Sequence, residues 1–272
     1  MYRSILLPLD LEATGDAALP VATALAVKHS LPLELVTVSS PGMSEMGDRM
    51  QLEQRARLSG GQCTTRVLHD NDAAEAILAL AENRPDALVV MASRARGPLG
   101  RAMFGSVSEE VLGRIEQPLL VVGPRVVDED VSPTPTLVIG VGDEPVGDIV
   151  VPAVRSWQET FGGPEPWLVE VRPPGKDAAD DDLEPPDCLQ SIVAAFALEG
   201  IKAEWSIVRA KRPADGLMQF ADRVTDAVLV VASSRWTDPG GAHFSSTAQH
   251  AVQRAHHPVL VLPSSRDSSA RR

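Results

Sequence analysis

A repeated block constrains the fold of this chain more than any other sequence feature. Residues 87–122 read ALVVMASRARGPLGRAMFGSVSEEVLGRIEQPLLVV, and residues 227–262 read AVLVVASSRWTDPGGAHFSSTAQHAVQRAHHPVLVL. Both blocks run from an apolar stretch through a loop and an amphipathic stretch to a second apolar stretch, which predicts strand, loop, helix and strand. Pro118 and Pro258 open the two final strands, 140 residues apart. The chain is therefore expected to be a tandem duplication.

The length and composition agree with two α/β domains. A chain of 272 residues accommodates two domains of roughly 130 residues, each with its own core. Hydrophobic residues make up 44% of the chain and aromatic residues only 4%, so the cores consist of aliphatic side chains, as in parallel sheets covered by helices. We expect two tandem doubly wound parallel five-stranded sheets with helices on both faces.

The predicted elements occur in the same order in both halves. In the first half, strands are predicted over 4–9, 33–38, 63–68, 87–92 and 119–122, and helices over 16–29, 71–83 and 105–115. In the second half, strands are predicted over 137–141, 167–171, 202–208, 228–232 and 259–262, and helices over 148–161, 188–198 and 214–223.

The domain boundaries follow from local composition. Residues 125–135 (RVVDEDVSPTP) are charged and proline-containing, as expected of a linker. They separate a first domain at 1–124 from a second at 136–263. Residues 264–272 (SSRDSSARR) are expected to be a disordered tail.

Charge and cysteine content exclude several classes of protein. The net charge is −12 and no basic stripe occurs, which argues against nucleic acid and anionic membrane surfaces as partners. No apolar stretch approaches the ~20 residues that span a bilayer, and the short apolar run near Met1 reads as a strand rather than a signal peptide. Cys63 and Cys188 form neither a disulfide framework nor a metal motif, so a cytoplasmic location is expected.

Candidate ligand-binding residues collect where the predicted strands of the first half end. Ligands of open parallel sheets lie beyond the carboxyl ends of the strands, where the strand order reverses. Asp10 and Val38 follow two such strands, and the helix after the fourth strand begins near Gly105. A helix N-terminus attracts anions, and Ser106 and Ser108 add hydroxyl groups there. Further positive charge is available from Arg94, Arg96 and Arg101.

Purely structural interpretations of the same residues remain open. Ser106 with Glu109 three residues later forms the pattern of a capping box. Asp10 is equally suited to cap the first helix.

The first half resembles a universal stress protein domain, and the whole chain resembles a tandem universal stress protein. Nucleotide-binding members carry glycine, two residues, glycine, nine residues, glycine, then Ser or Thr. That frame falls here on Ala92, Ala95, Gly105 and Ser106. The sequence ILLPLD resembles the first strand of the family, whose adenine-contacting aspartate corresponds to Asp10 here. The resemblance implies an adenine nucleotide α-hydrolase-like, Rossmann-like fold that binds ATP, with Mg²⁺ as its companion ion. The implied nucleotide-binding residues are Pro8, Leu9, Asp10, Val38, Met91, Ala92, Arg94, Ala95, Gly105, Ser106, Val107 and Ser108.

Departures from that frame differ between the halves. In the first half Ala92 and Ala95 both replace glycines; the change at Ala92 is mild, whereas a Cβ at Ala95, at a turn that needs close approach, costs about 1 kcal/mol. In the second half the frame falls on Ala232, Arg235, Ser245 and Ser246, without any of the three glycines, and Gly142 stands in the place of Asp10. The second half is therefore expected to be a structural partner with a degenerate site.

The two final strands are expected to pair with each other. Residues Leu119 to Val122 and Val259 to Leu262 are apolar edges, and an uncovered edge is an aggregation hazard. The resemblance implies dimerisation through this strand, which in one chain gives an internal pseudo-dimer; a homodimer of whole chains stays an additional hypothesis.

Three functional hypotheses follow. The first is a stress-response regulator that binds ATP in its first half and is recognised by an unidentified regulatory protein. The alternatives are an interaction module without nucleotide, favoured by Ala95, and a weak ATP hydrolase. The chain has no GxxxxGK[ST] motif and no evident catalytic base near Ser106, so no catalytic or metal-ligating residues are assigned.

Overall fold

The computed structural model describes most of the chain. The described residues are 1–40, 42, 44–93, 106–127, 132–142, 147–175, 187–233, 236–238, 241–243 and 246–263. Arg94, Ala95 and Gly105, which belong to the predicted nucleotide site, lie outside them, as does the tail from residue 264.

The first half alternates strands with helices. Its elements are β1 (Ser4–Pro8), α1 (Leu19–His29), β2 (Leu33–Ser39), α2 (Glu45–Ser59), β3 (Cys63–His69), α3 (Ala73–Glu82), β4 (Ala87–Ala92), α4 (Ser106–Arg114) and β5 (Leu119–Val122). The starts of α2 and α3 carry capping side chains: the Ser44 hydroxyl accepts from the Gly47 N–H, and the Asp72 carboxylate accepts from the N–H groups of Ala74 and Glu75.

The second half repeats this order and adds a hairpin. Its elements are β6 (Thr136–Val141), α5 (Gly147–Phe161), β7 (Trp167–Arg172), α6 (Asp187–Leu198), β8 (Glu204–Arg209), α7 (Pro213–Ala221), β9 (Ala227–Ser233), β10 (Trp236–Asp238), β11 (Gly241–His243), α8 (Ser246–Arg254) and β12 (Val259–Pro263). The antiparallel hairpin β10–β11 lies between β9 and α8.

All strands except those of the hairpin join one ten-stranded sheet. Its order is β3-β2-β1-β4-β5-β12-β9-β6-β7-β8, so that each half contributes five parallel strands in the same doubly wound order. The halves meet at β5 and β12, which pair antiparallel with Leu120 opposite Leu260. The predicted fold class and the predicted pairing of the two final strands are both confirmed.

Helices cover both faces of the sheet, and both cores run across the junction. On one face, Leu25 of α1 and Leu52 of α2 share a buried cluster with Trp157 and Phe161 of α5. On the other face, α3 and α4 share a cluster with α7 and α8. The amino-terminal strand is also bound to α5, since the Tyr2 ring stacks on Phe161 at 5.9 Å between centroids. Burial there raises the pKa of the Tyr2 hydroxyl well above its usual value.

The start of the first helix differs from the prediction. A 3-10 helix spans Ala13–Ala18, and α1 begins at Leu19 rather than at Asp16. Pro20 fits this boundary, because proline lacks an N–H and its fixed φ suits the first turn of an α-helix, where that N–H has no acceptor within the helix.

Gly123, directly after β5, allows the halves to approach closely. A Cβ at this position would overlap the carbonyl oxygen of Val252 in α8, a backbone atom that cannot turn away. The second half therefore packs against the bare backbone of the first.

We expect Gly123→Ala to lower the free energy of unfolding by about 1–3 kcal/mol through overpacking. The midpoint of thermal unfolding should fall by about 2–4 °C per kcal/mol, which scanning calorimetry measures. Gly142→Ala is the matched control, because a Cβ there meets nothing within 4 Å. Equal midpoints for the two variants would contradict the close approach.

Candidate functional site

The strand order of the first half reverses at β1, which pairs with β2 on one side and β4 on the other. Pro8 lies opposite Val36, and Leu6 lies opposite Val89. Because all three strands are parallel, their carboxyl ends meet at one edge of the sheet. This edge is where an open α/β sheet binds ligands.

Asp10 lies at this edge, two residues after β1, and its side chain is exposed. Its Oδ1 accepts a hydrogen bond from the Glu12 N–H at 3.0 Å, which makes a tight turn. Since α1 begins only at Leu19, Asp10 does not cap that helix. Leu9 is 4% exposed and belongs to the core, and its N–H donates to the Val36 carbonyl at 2.7 Å. Leu9 therefore sets the position of Asp10 through the backbone.

The start of α4 is tied to the end of β4. The Ser108 hydroxyl donates to the Ala92 carbonyl at 3.3 Å, and Val107 is half-buried against the core. Ser106, the first residue of α4, is exposed. The first N–H groups of an α-helix have no acceptor within the helix, so the start of α4 offers donors and a partial positive charge.

The other predicted residues that the structure describes lie at the same edge. Pro8, Val38 and Ala92 are half-buried at the ends of β1, β2 and β4, and Met91 is 5% exposed. The predicted residues from β1, β2, β4 and α4 thus share one edge of the sheet. How Arg94, Ala95 and Gly105 complete it stays a prediction.

Arg55 is a residue of this edge that sequence analysis did not identify. From α2 its Nε donates to Asp16 Oδ1 at 2.6 Å, and its Nη2 donates to the Leu11 carbonyl at 3.1 Å. Leu11 has φ of 63°, an unfavourable backbone conformation for a residue with a side chain. Arg55 therefore holds the turn that follows Asp10 in a strained conformation.

The corresponding edge of the second half is built differently. Gly142 follows β6 at the position that corresponds to Asp10, and a Cβ there would meet nothing within 4 Å. Between β9 and α8 the chain forms the β10–β11 hairpin, which carries Trp236, and β11 lies beside α4 of the first half. This part of the second half thus contacts the first half.

The described residues offer neither a metal site nor a membrane-spanning helix. They contain no group of three or more His, Cys, Asp or Glu side chains that could hold a metal ion. Within the same residues, every helix is too short or too polar to cross a bilayer.

The fold and this edge define a Rossmann-like α/β protein of duplicated architecture. The chain matches the universal stress protein family over residues 1–123 and 165–263, and it belongs to that family. No curated protein matches the chain.

Solved structures of two-domain length share the fold. A universal stress protein from Archaeoglobus fulgidus DSM 4304 is 17% identical, with a TM-score of 0.68 over 96% of this chain and 98% of its own. A putative universal stress protein from Pseudomonas aeruginosa UCBPP-PA14 is 18% identical, with a TM-score of 0.65 over 96% and 93%. A universal stress protein from Archaeoglobus fulgidus, solved in complex with dAMP, covers 47% of this chain at 23% identity and a TM-score of 0.37.

We expect Arg55→Ala to lower the free energy of unfolding by about 1–3 kcal/mol, because it removes charge-assisted hydrogen bonds from a mostly buried side chain. Arg49→Ala is the matched control on the same helix, since Arg49 forms an exposed ion pair with Glu45 at 2.7 Å; its cost should stay below about 0.5 kcal/mol. Denaturant unfolding measures both. Similar losses would show that Arg55 does not anchor the turn.

Proposed function

We propose that the first half binds ATP or another adenine nucleotide and that the chain acts as a stress-response regulator. The observation that carries the proposal is the arrangement at one sheet edge of the turn after β1, the ends of β2 and β4, and the start of α4. Three strand ends provide a surface for a base, and a helix start provides donors for phosphate.

The base end of the proposed site is formed by Asp10 and the apolar side chains at the strand ends. We assign the Asp10 carboxylate, whose Oδ1 accepts from the Glu12 N–H, to an amine or hydroxyl of the nucleoside. Val38 and Met91 provide the apolar surface beside it. The residues present fit a purine, which needs a flat apolar contact and a few polar groups at its rim.

The phosphate end is assigned to the start of α4. Ser106 is exposed, so its hydroxyl and the N–H groups of the first turn suit an anion. The Ser108 hydroxyl donates to Ala92, so Ser108 contributes its backbone N–H instead. Gly105, Ala95 and Arg94 complete this end of the proposal, together with Mg²⁺ as a counter-ion of the phosphates.

The proposed role is regulatory. A ligand transmits a signal only when it favours one conformation of the protein over another. In this proposal the nucleotide favours one conformation of residues 93–105. A regulatory protein then binds the surface that these residues form. The second half acts as the intrachain partner through β12. The scarcity of cysteine supports a cytoplasmic setting.

One experiment separates the three functional hypotheses. Freshly purified protein is denatured, the released ligand is identified by chromatography, and the refolded or apo protein is titrated with ATP and Mg²⁺ by calorimetry, with ADP production followed in parallel. Binding without turnover supports the regulator. Turnover that Ser106→Ala abolishes supports the weak hydrolase, and no binding at ~1 mM ATP, a weak affinity of about −4 kcal/mol, supports the interaction module.

Asp10 is tested by a matched pair of variants. Asp10→Ala and Asp10→Asn should each weaken ATP binding by about tenfold or more, because a hydrogen bond to a charged acceptor is lost. Asparagine retains an oxygen for the Glu12 N–H but presents a donor instead of an acceptor to the ligand. If only Asp10→Ala weakens binding in the titration, the effect comes from the turn, and Asp10 does not contact the nucleotide.

Restoring the family glycine should improve binding. Ala95→Gly removes a Cβ whose cost we place at about 1 kcal/mol, so ATP affinity should rise about fivefold. Arg235→Gly, at the corresponding frame position of the second half, is the control and should leave the affinity unchanged. An unchanged affinity for Ala95→Gly would show that this methyl group does not obstruct the site.

A further inference from the structure

Two grooves run between the halves, and the duplication relates them. The open groove has a volume of about 660 Å³, and the closed groove retains only about 10 Å³. Asp86 and Pro118 line the open groove, and their counterparts 140 residues later, Asp226 and Pro258, line the closed one. Two structurally related sites therefore differ in volume by more than an order of magnitude.

The linker accounts for the difference. Ser132 and Pro135 line the closed groove, and the Pro133 carbonyl lies 2.7 Å from His29 Nε2 on α1. Val126, earlier in the linker, packs against the core. The segment that follows β5 thus covers the groove on its side of the molecule.

The segment that follows β12 is the repeat equivalent of the linker. The 140-residue offset places Pro263 on Gly123 and residues 264–272 on residues 124–132. Pro263 itself lines the open groove. The tail therefore starts at the rim of the open groove.

Charge also matches the tail to the open groove. Asp86 and Glu116 of the first half and Asp148 of the second all line the groove. Pro152, one turn after Asp148 in α5, has no N–H, so the Asp148 carbonyl lacks its usual helical donor. The tail carries three arginines against one aspartate: Arg266, Arg271, Arg272 and Asp267.

We propose that residues 264–272 dock in the open groove of their own chain, as the linker covers the closed one. A segment of this composition has no core of its own and becomes ordered only on a complementary surface. Because it is attached at the rim, its effective concentration is in the millimolar range, so weak contacts are sufficient. Arginine can pair with carboxylates and donate to carbonyl groups at the same time. The docked tail would bridge the two halves beside their junction.

The test places a photoreactive benzoylphenylalanine at position 268 of the full chain in place of Ser268. Illumination should give cross-links within one chain, which mass spectrometry maps to peptides containing Asp86, Glu116 or Asp148. The yield should fall roughly tenfold in the triple variant Arg266→Glu, Arg271→Glu, Arg272→Glu, because each exposed ion pair contributes a factor of about 1.5 to 5. It should also fall between ~20 mM and ~500 mM NaCl.

Groove variants provide the matched control. Asp86→Asn combined with Asp148→Asn should lower the yield, whereas Asp226→Asn in the closed groove should not. Asparagine tolerates the positive φ of Asp226, which is 55°. Cross-links that map elsewhere would overturn the proposal. So would cross-link yields that change neither with the arginine variants of the tail nor with the aspartate variants of the groove. Covalent dimers instead of intrachain products would also overturn it, since a second copy would then fill the groove.

Discussion

The antiparallel pairing of β5 with β12 is the interaction on which the rest of the structure depends. Each strand is an apolar edge of a five-stranded sheet, and neither is suited to water. Joining them, with Leu120 opposite Leu260, removes both edges and makes one continuous sheet. It also brings α1 against α5 and the end of β5 against α8, so both buried clusters cross from one half to the other.

The junction between the halves and the candidate ligand site use different strands of the first half. The candidate site lies at the ends of β1, β2 and β4, whereas the junction uses β5 and the helices beside it. The second half can therefore retain β12 and its packing while Gly142 stands in the place of Asp10 and the β10–β11 hairpin connects β9 to α8. Covalent linkage makes the two junction grooves different, because Ser132 and Pro135 of the linker line the closed one.

The sequence predicts elements well where the signal is local. The short apolar run that follows Pro85 and Asp86 predicts the strand Ala87–Ala92 with its observed bounds. The predicted start of α1 at Asp16 lies three residues before the observed start at Leu19, because periodicity alone does not distinguish a 3-10 turn from the first turn of an α-helix. Arg55 could not be predicted: its partners Leu11 and Asp16 are about forty residues distant in sequence, and nothing local distinguishes it from other α2 arginines. The two grooves exist only once the halves have paired.

The changes at the two candidate sites differ in size, which bears on whether the first half retains its ligand. The first half replaces two frame glycines by alanine, and we expect the methyl group of Ala95 to be the costly one, at about 1 kcal/mol or a factor of about five in affinity. Such a loss weakens a nucleotide site without abolishing it when the helix start and Asp10 remain. In the second half all three frame glycines and the aspartate are replaced. Several such losses together exceed the binding free energy of a millimolar ligand, about 4 kcal/mol, so the nucleotide hypothesis belongs to the first half alone.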